Sequence, residues 1–262
     1  MSVRIGCLQV ETRPDDVDAN LATLRDMMKA AAKQGVELLI VPEMFVTGYN
    51  TERRPENYPQ SLWLDVARDI CREEGVALVA GAPEVVRGDD GRAEVFNSAF
   101  LIDSTGEVLS VYRKTHLFGD EEKALFSPGE VAGNPVMFRG ISIGILICYD
   151  VEFPENVRRY AMQGVDLIAV PTAQMVPFEF VAETMIPTRA WENQCYVAYV
   201  NHDGVERGLR YVGRSSICGP NGDRIVTCVH GTHLLVADID PLVVVDGRRK
   251  NPYLLDRRPE LY

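Results

Sequence analysis

A nonapeptide that occurs twice constrains this chain most. Gly35-Val36-Glu37-Leu38-Leu39-Ile40-Val41-Pro42-Glu43 and Gly164-Val165-Asp166-Leu167-Ile168-Ala169-Val170-Pro171-Thr172 match in kind at nearly every position. In each, a glycine closes a helical stretch, an aliphatic run follows and a proline stops it. The flanks repeat too. Residues 18–34 place Leu21, Leu24, Met28 and Ala31 on one helical face, and residues 154–163 read as the matching helix. Strands are expected at 3–10 and 141–147. A helix then a strand follow each nonapeptide, at 60–74 and 76–80 in the first half and at 178–193 and 195–200 in the second. Each half ends in a hairpin: 95–102 with 108–112 around Asp103-Ser104-Thr105-Gly106, and 214–219 with 223–227 around Pro220-Asn221-Gly222. Two α/β halves related by a pseudo-twofold repeat predict two sheets, each with an apolar inner face, stacked as a four-layer α-β-β-α sandwich. No Pro-, Gly- or Ser-rich linker separates the halves, so residues 1–262 are expected to form a single domain. The tail from about 241 reads as an extended arm packing on a neighbouring subunit.

Composition narrows the function. The 262 residues hold 27 basic and 38 acidic side chains, a net charge of −11. That argues against nucleic acid and anionic membranes as partners, which need basic surface. No apolar run approaches the roughly 18 residues of a membrane span. The start, Met1-Ser2-Val3-Arg4-Ile5-Gly6, has no signal-peptide core. Six cysteines without CxxC spacing are expected to stay reduced in a cytoplasmic protein.

Three reactive side chains stand at element boundaries. Glu43 follows an apolar strand and a proline, at a carboxyl edge where α/β folds gather ligands. Lys114 closes the strand 108–112 within Tyr112-Arg113-Lys114-Thr115-His116. Cys148 ends Ile145-Leu146-Ile147 and precedes Tyr149-Asp150 and a helix opened by Pro154. Each alone has an ordinary explanation: a helix cap, a solvated cation, a packed thiol. Together they suit acyl transfer. Glu43 can take the thiol proton as sulfur attacks and return it to the departing amine. Lys114 and the Tyr149 backbone N–H are suited to an oxyanion.

These strings resemble the nitrilase superfamily of carbon–nitrogen hydrolases. The resemblance rests on Pro42-Glu43-Met44-Phe45-Val46-Thr47-Gly48-Tyr49, on Tyr112 to Phe118, on Ile147-Cys148-Tyr149-Asp150-Val151-Glu152-Phe153-Pro154-Glu155 and on Arg189-Ala190-Trp191-Glu192-Asn193, in the family's order. It implies a nitrilase-like sandwich, a homodimer or higher homo-oligomer, and hydrolysis of a small amide through a cysteine thioester. A second family glutamate is matched by Glu122 before Phe126 and Gly129, with the expected role of orienting Lys114 or the leaving group. Tyr49, Tyr149, Thr172 and Ala173 are expected to rim the substrate pocket, with Phe178 beside them. A small aliphatic or ω-amide is the favoured substrate, with N-carbamoyl amines and nitriles as alternatives, and neither metal nor organic cofactor is expected. Arg189, Arg207 and Arg210 are candidates to bind a substrate carboxylate. Three competing readings are a Cys148–His202 pair, a zinc site at His230 and His233, and an inactive binding scaffold; the first leaves Glu43 and Lys114 unexplained and the second lacks a cysteine pair.

Overall fold

The structure, a computed structural model, describes residues 2–88 and 91–261. Strand β1 (Val3–Gln9), helix α1 (Val17–Lys33), β2 (Leu38–Ile40), α2 (Leu64–Glu74) and β3 (Ala77–Arg87) form a parallel β-α-β-α-β run. Strands β4 (Ala93–Ile102) and β5 (Val108–Arg113) then return antiparallel. Helix α3 (Gly119–Leu125) and β6 (Val136–Phe138) lead to the second run: β7 (Ile141–Ile145), α4 (Pro154–Met162), β8 (Leu167–Thr172), α5 (Ile186–Asn193) and β9 (Tyr196–Asn201). A small hairpin, β10 (Val205–Glu206) and β11 (Leu209–Arg210), precedes β12 (Ser216–Cys218) and β13 (Arg224–Thr227). Strand β14 (His233–Ile239) returns to pair with β1, and α6 (Pro241–Lys250) and α7 (Tyr253–Asp256) follow.

The strand orders are β14-β1-β2-β3-β4-β5 and β13-β12-β9-β8-β7-β6. The repeat extends to register. Ile5 pairs with Leu38 and Leu38 with Ala77; Ile143 pairs with Leu167 and Leu167 with Tyr196. Strand alternation divides the core. Leu38 and Ile40 pack in the cluster that includes Ile143, Leu167 and Ala169 of the other sheet, while Leu39 and Val41 pack with Leu24, Met28 and Ile70 of α1 and α2. The result is the expected α-β-β-α sandwich.

Three local departures have physical causes. The helix expected over 178–193 contains a π turn at Val181–Met185 before α5, because Pro187 has no N–H to give the preceding turn. The strand expected at 76–80 runs on to Arg87, carried by its pairing with β4. The tail after Asp240, expected to be extended, is helical. Asp240 Oδ1 accepts from Leu242 N at 2.9 Å, Pro241 stands in the first turn, and Arg248, Arg249 and Lys250 occupy the last. Val244 is buried beneath it, and Arg248 Nη2 donates to Val165 O at 2.6 Å.

Candidate active site

Glu43, Lys114 and Cys148 come from three strand ends, and all three side chains are buried. Glu43 sits just beyond β2, where its N–H donates to Thr172 O at 3.4 Å across the pseudo-twofold. The next residue, Met44, has φ of 52°, which turns the chain sharply. Gly81 of β3 lies against this elbow; a Cβ there would meet Pro42 O and Met44 N at 2.5 Å. Cys148 begins a tight turn (Cys148–Glu152) with φ of 46°, a left-handed conformation that costs a non-glycine residue about 1–3 kcal/mol. Asp150 holds that turn. It accepts from Ile147 N, Tyr112 OH, Thr115 Oγ1 and His116 N at 2.8–3.2 Å, tying the Cys148 turn to the strand that delivers Lys114.

Lys114 Nζ donates to Glu43 Oε1 and to Glu122 Oε1, each at 2.7 Å. Glu122, on α3, also accepts from Tyr49 OH at 2.7 Å and from Phe118 N at 2.6 Å. Asn97 Nδ2 gives Glu43 Oε1 a second donor at 2.7 Å. Glu43 Oε2, equally buried, has no hydrogen-bond partner among the described residues, which leaves it able to accept a proton.

The titrations follow from this geometry. Burial raises the Glu43 carboxyl above its ordinary range; Lys114 opposes the rise and Glu122 adds to it. Burial acts against the Lys114 charge, but Glu43 and Glu122 outweigh it and the ammonium is retained. Burial pushes the Cys148 thiol well up and the Glu43 charge reinforces it, while Lys114 and a hydrogen bond from the Ala173 backbone oppose. The resting sulfur is therefore protonated at neutral pH. A neutral thiol, a basic carboxylate and a fixed ammonium can perform proton-coupled nucleophilic attack.

The other expected site residues are placed as follows. Ala173 presents its backbone to the sulfur. Tyr149 packs edge-on between Phe118 and Phe153, at centroid distances of 5.3 and 4.9 Å. The Thr172 hydroxyl donates to Val170 O at 3.1 Å. His202 is not paired with Cys148: its Nε2 lies 2.6 Å from Glu43 O and its Nδ1 3.2 Å from Thr12 Oγ1. His230 Nδ1 faces Asp203 Oδ1 at 3.0 Å, and no cluster of three or more metal-ligating side chains occurs among the described residues.

Residues 4–249 match the sequence model of the carbon–nitrogen hydrolase family. The chain belongs to the carbon–nitrogen hydrolase family. It is 42% identical, over 100% of its length and 91% of the relative's, to a Pseudomonas protegens protein called "Hydrolase in pqqF 5'region". It is 32% identical, over 98% and 92%, to an (R)-stereoselective amidase of a Pseudomonas species. Among solved structures it superposes on a mutant of the amidase from Nesterenkonia sp. AN1 with a TM-score of 0.84 and 36% identity, covering 99% and 98% of the two chains; that structure shows the result of Michael addition of acrylamide at the active-site cysteine.

Several residues of this carbon–nitrogen hydrolase escape a reading by strings. Asn97, Asp150, Gln174 and His202 all touch Glu43, Cys148 or their turns. Glu206 binds the backbone of Tyr49 and Asn50 at 3.0 and 2.9 Å and so steadies the Tyr49 hydroxyl on Glu122. Asp150 had a local signal, two residues after the thiol at a turn. The remainder become neighbours only through sheet pairing.

Proposed function

We propose that Cys148, Glu43, Lys114 and Glu122 are the working groups of this hydrolase and that its substrate is a small aliphatic monoamide. The protein is an amide-hydrolysing enzyme acting through a cysteine intermediate. In this reading the Cys148 sulfur forms a bond to the amide carbon as its proton passes to Glu43 Oε2. Lys114 Nζ, fixed between two carboxylates, and the Tyr149 N–H receive the developing oxyanion. Glu43 then hands the proton to the amine nitrogen, the carbon–nitrogen bond breaks, ammonia leaves and a thioester remains. Water attacks the thioester with Glu43 again taking the proton. The proton returns to sulfur as the acid departs. Glu122 orients Lys114, and Tyr49 orients Glu122.

The observation that carries this is the buried Glu43–Lys114–Glu122 chain, with one Glu43 oxygen unpartnered among the described residues and the Glu43 and Lys114 charges both acting on the Cys148 thiol. A cavity of about 620 Å³, lined by Tyr49, Phe118, Glu122 and Met175, opens next to it and suits a small, partly apolar acyl group. Relatives named as amidases support amide hydrolysis, while a Pyrococcus abyssi relative at 33% identity is named nitrilase and keeps nitriles among the substrates to be compared.

The deciding experiment measures ammonia release from short aliphatic amides, ω-amides, N-carbamoyl amines and nitriles, with intact mass after acid quench. Aliphatic amide turnover with an acyl adduct on Cys148 is expected. Faster turnover of a nitrile or carbamoyl substrate would overturn the substrate assignment. Self-association and a cytoplasmic setting complete the proposal. Leu242, Val245 and Leu255 are 68, 61 and 85% exposed, an apolar surface that a second copy would cover, and all six cysteines are free thiols. Light scattering at the monomer mass would remove the first.

A further inference from the structure

Glu152 closes the turn that Cys148 opens. Arg189 clamps its backbone, donating from Nε to Val151 O at 2.9 Å and from Nη2 to Glu152 O at 2.6 Å. The Glu152 carboxyl is half-buried and interacts with the Gln174 side chain. Gln174 is buried, and its Oε1 accepts from Cys148 Sγ at 3.5 Å. One amide side chain thus bridges the nucleophile and this carboxylate. The two cations whose charge Glu152 feels are both occupied elsewhere: Lys114 by Glu43 and Glu122, and Arg189 by two carbonyls and Glu192 Oε1 at 2.9 Å.

Arg189 is therefore committed to the Cys148 turn, and Arg207 is bonded to Asp15 and Glu52. Neither is a spare cation for a substrate carboxylate. From Phe153, the residue after Glu152 in the chain, an aromatic row runs through Tyr149, Phe118 and Phe178, with successive centroids 4.9, 5.3 and 5.9 Å apart. Three carboxylates around one ammonium, bordered by aromatic rings, form an environment complementary to a cation.

We infer that Glu152 sets the charge class of the substrate: the enzyme prefers amides carrying an ammonium group near the scissile carbonyl and turns away those carrying a carboxylate there. This deepens the amidase reading and rests on it. The group acts by field rather than by chemistry. At ion separations of several ångströms in a partly buried site, one charge changes relative rates roughly 10- to 100-fold.

The test compares kcat/KM for 4-aminobutanamide, pentanamide and succinamate in wild type, Glu152→Gln and Glu152→Asp. Wild type is expected to rank them in that order. Glu152→Gln should shrink the 4-aminobutanamide-to-succinamate ratio about 10- to 100-fold, and Glu152→Asp should keep most of it. A ratio cancels any general loss of turnover in a variant. Wild-type preference for succinamate overturns the inference even if Glu152→Gln fails to fold, and so does a ratio that stays within about twofold in a folded Glu152→Gln. No ammonia from any of the three, with no adduct on Cys148, marks failure of the amidase reading itself and takes the inference with it.

Discussion

The two halves of the chain share a backbone and divide the chemistry. Register gives each reactive residue a counterpart. Ile5 and Ile143 are equivalent through their pairing with Leu38 and Leu167, so Cys148 corresponds to Val10. The nonapeptides match Glu43 with Thr172. Phe100 pairs with Val111, and Ser216, its equivalent, pairs with Thr227, so Lys114 corresponds to His230. Carboxylate and ammonium stand in the first half and the thiol in the second, while the counterparts are an aliphatic residue, a neutral hydroxyl and an exposed imidazole. The repeat thus yields one site rather than two, and that site must lie where the halves meet. The Glu43 N–H bond to Thr172 O marks the place.

The largest test of this asymmetry is kinetic. Cys148→Ala should abolish ammonia release, a loss of about 10⁴-fold or more, because in the proposed mechanism sulfur is the group that bonds to the substrate. Val10→Ala, at the equivalent position, should retain turnover in the folded protein. A Cys148→Ala enzyme that still releases ammonia at a measurable fraction of the wild-type rate would place the nucleophile elsewhere.

Stability should show the same contrast at a smaller scale. Lys114→Met leaves Glu43 and Glu122 facing each other, buried and without their shared cation. Breaking a buried ion pair from one side costs about 3–5 kcal/mol, visible as a lower urea midpoint. His230→Gln, at the matching but exposed position, should move it by less than about 0.5 kcal/mol. Equal effects would mean that Lys114 is not held as its bonds indicate.

The third test uses pH. A base works only when deprotonated, so with Glu43 as the proposed base kcat/KM should fall as pH drops through the Glu43 value, which burial and the Glu122 charge raise above the ordinary 4.5. Removing that charge with Glu122→Gln should move the acid limb to lower pH. An unmoved limb would assign it to another group.

Much of the fold was legible because its signals are local. The nonapeptide and its glycine mark where each central strand begins, although β2 ends before Pro42 while β8 runs through Pro171 to Thr172, and Leu21, Leu24 and Met28 mark α1 by spacing alone. The three reactive residues were legible for the same reason, each lying in a short distinctive string at a strand end. Asn97 and His202 were not, because they reach Glu43 from 54 and 159 residues away, through sheet order that no string records. Helix α6 was missed on different physical grounds. Its cap, Asp240-Pro241, is plain, but Leu242, Val243 and Val245 point outward and only Val244 is buried, so no inward apolar stripe marks it.

The smallest expected effect concerns the tie between the halves rather than the reacting groups. His116 follows the Lys114 strand, and its Nδ1 lies 2.9 Å from Oδ1 of Asp150, the residue that holds the Cys148 turn. The hydrogen bond to Asp150 raises the imidazole above its ordinary 6.5, with burial opposing. A raised folded-state value means that the unfolded chain releases this proton first. The stabilisation is therefore complete below about pH 6 and fades as pH rises through the folded value. His116 is about a third exposed (35%), so solvent screening keeps its contribution below about 1 kcal/mol. His116→Gln should accordingly lower Tm most near pH 6, with the difference from wild type narrowing toward pH 8. A gap that widens with pH would show that the neutral imidazole, not its charged form, holds the turn, and the link between the Lys114 strand and the Cys148 turn would then rest on uncharged donors, with Tyr112, Thr115 and the His116 N–H among them.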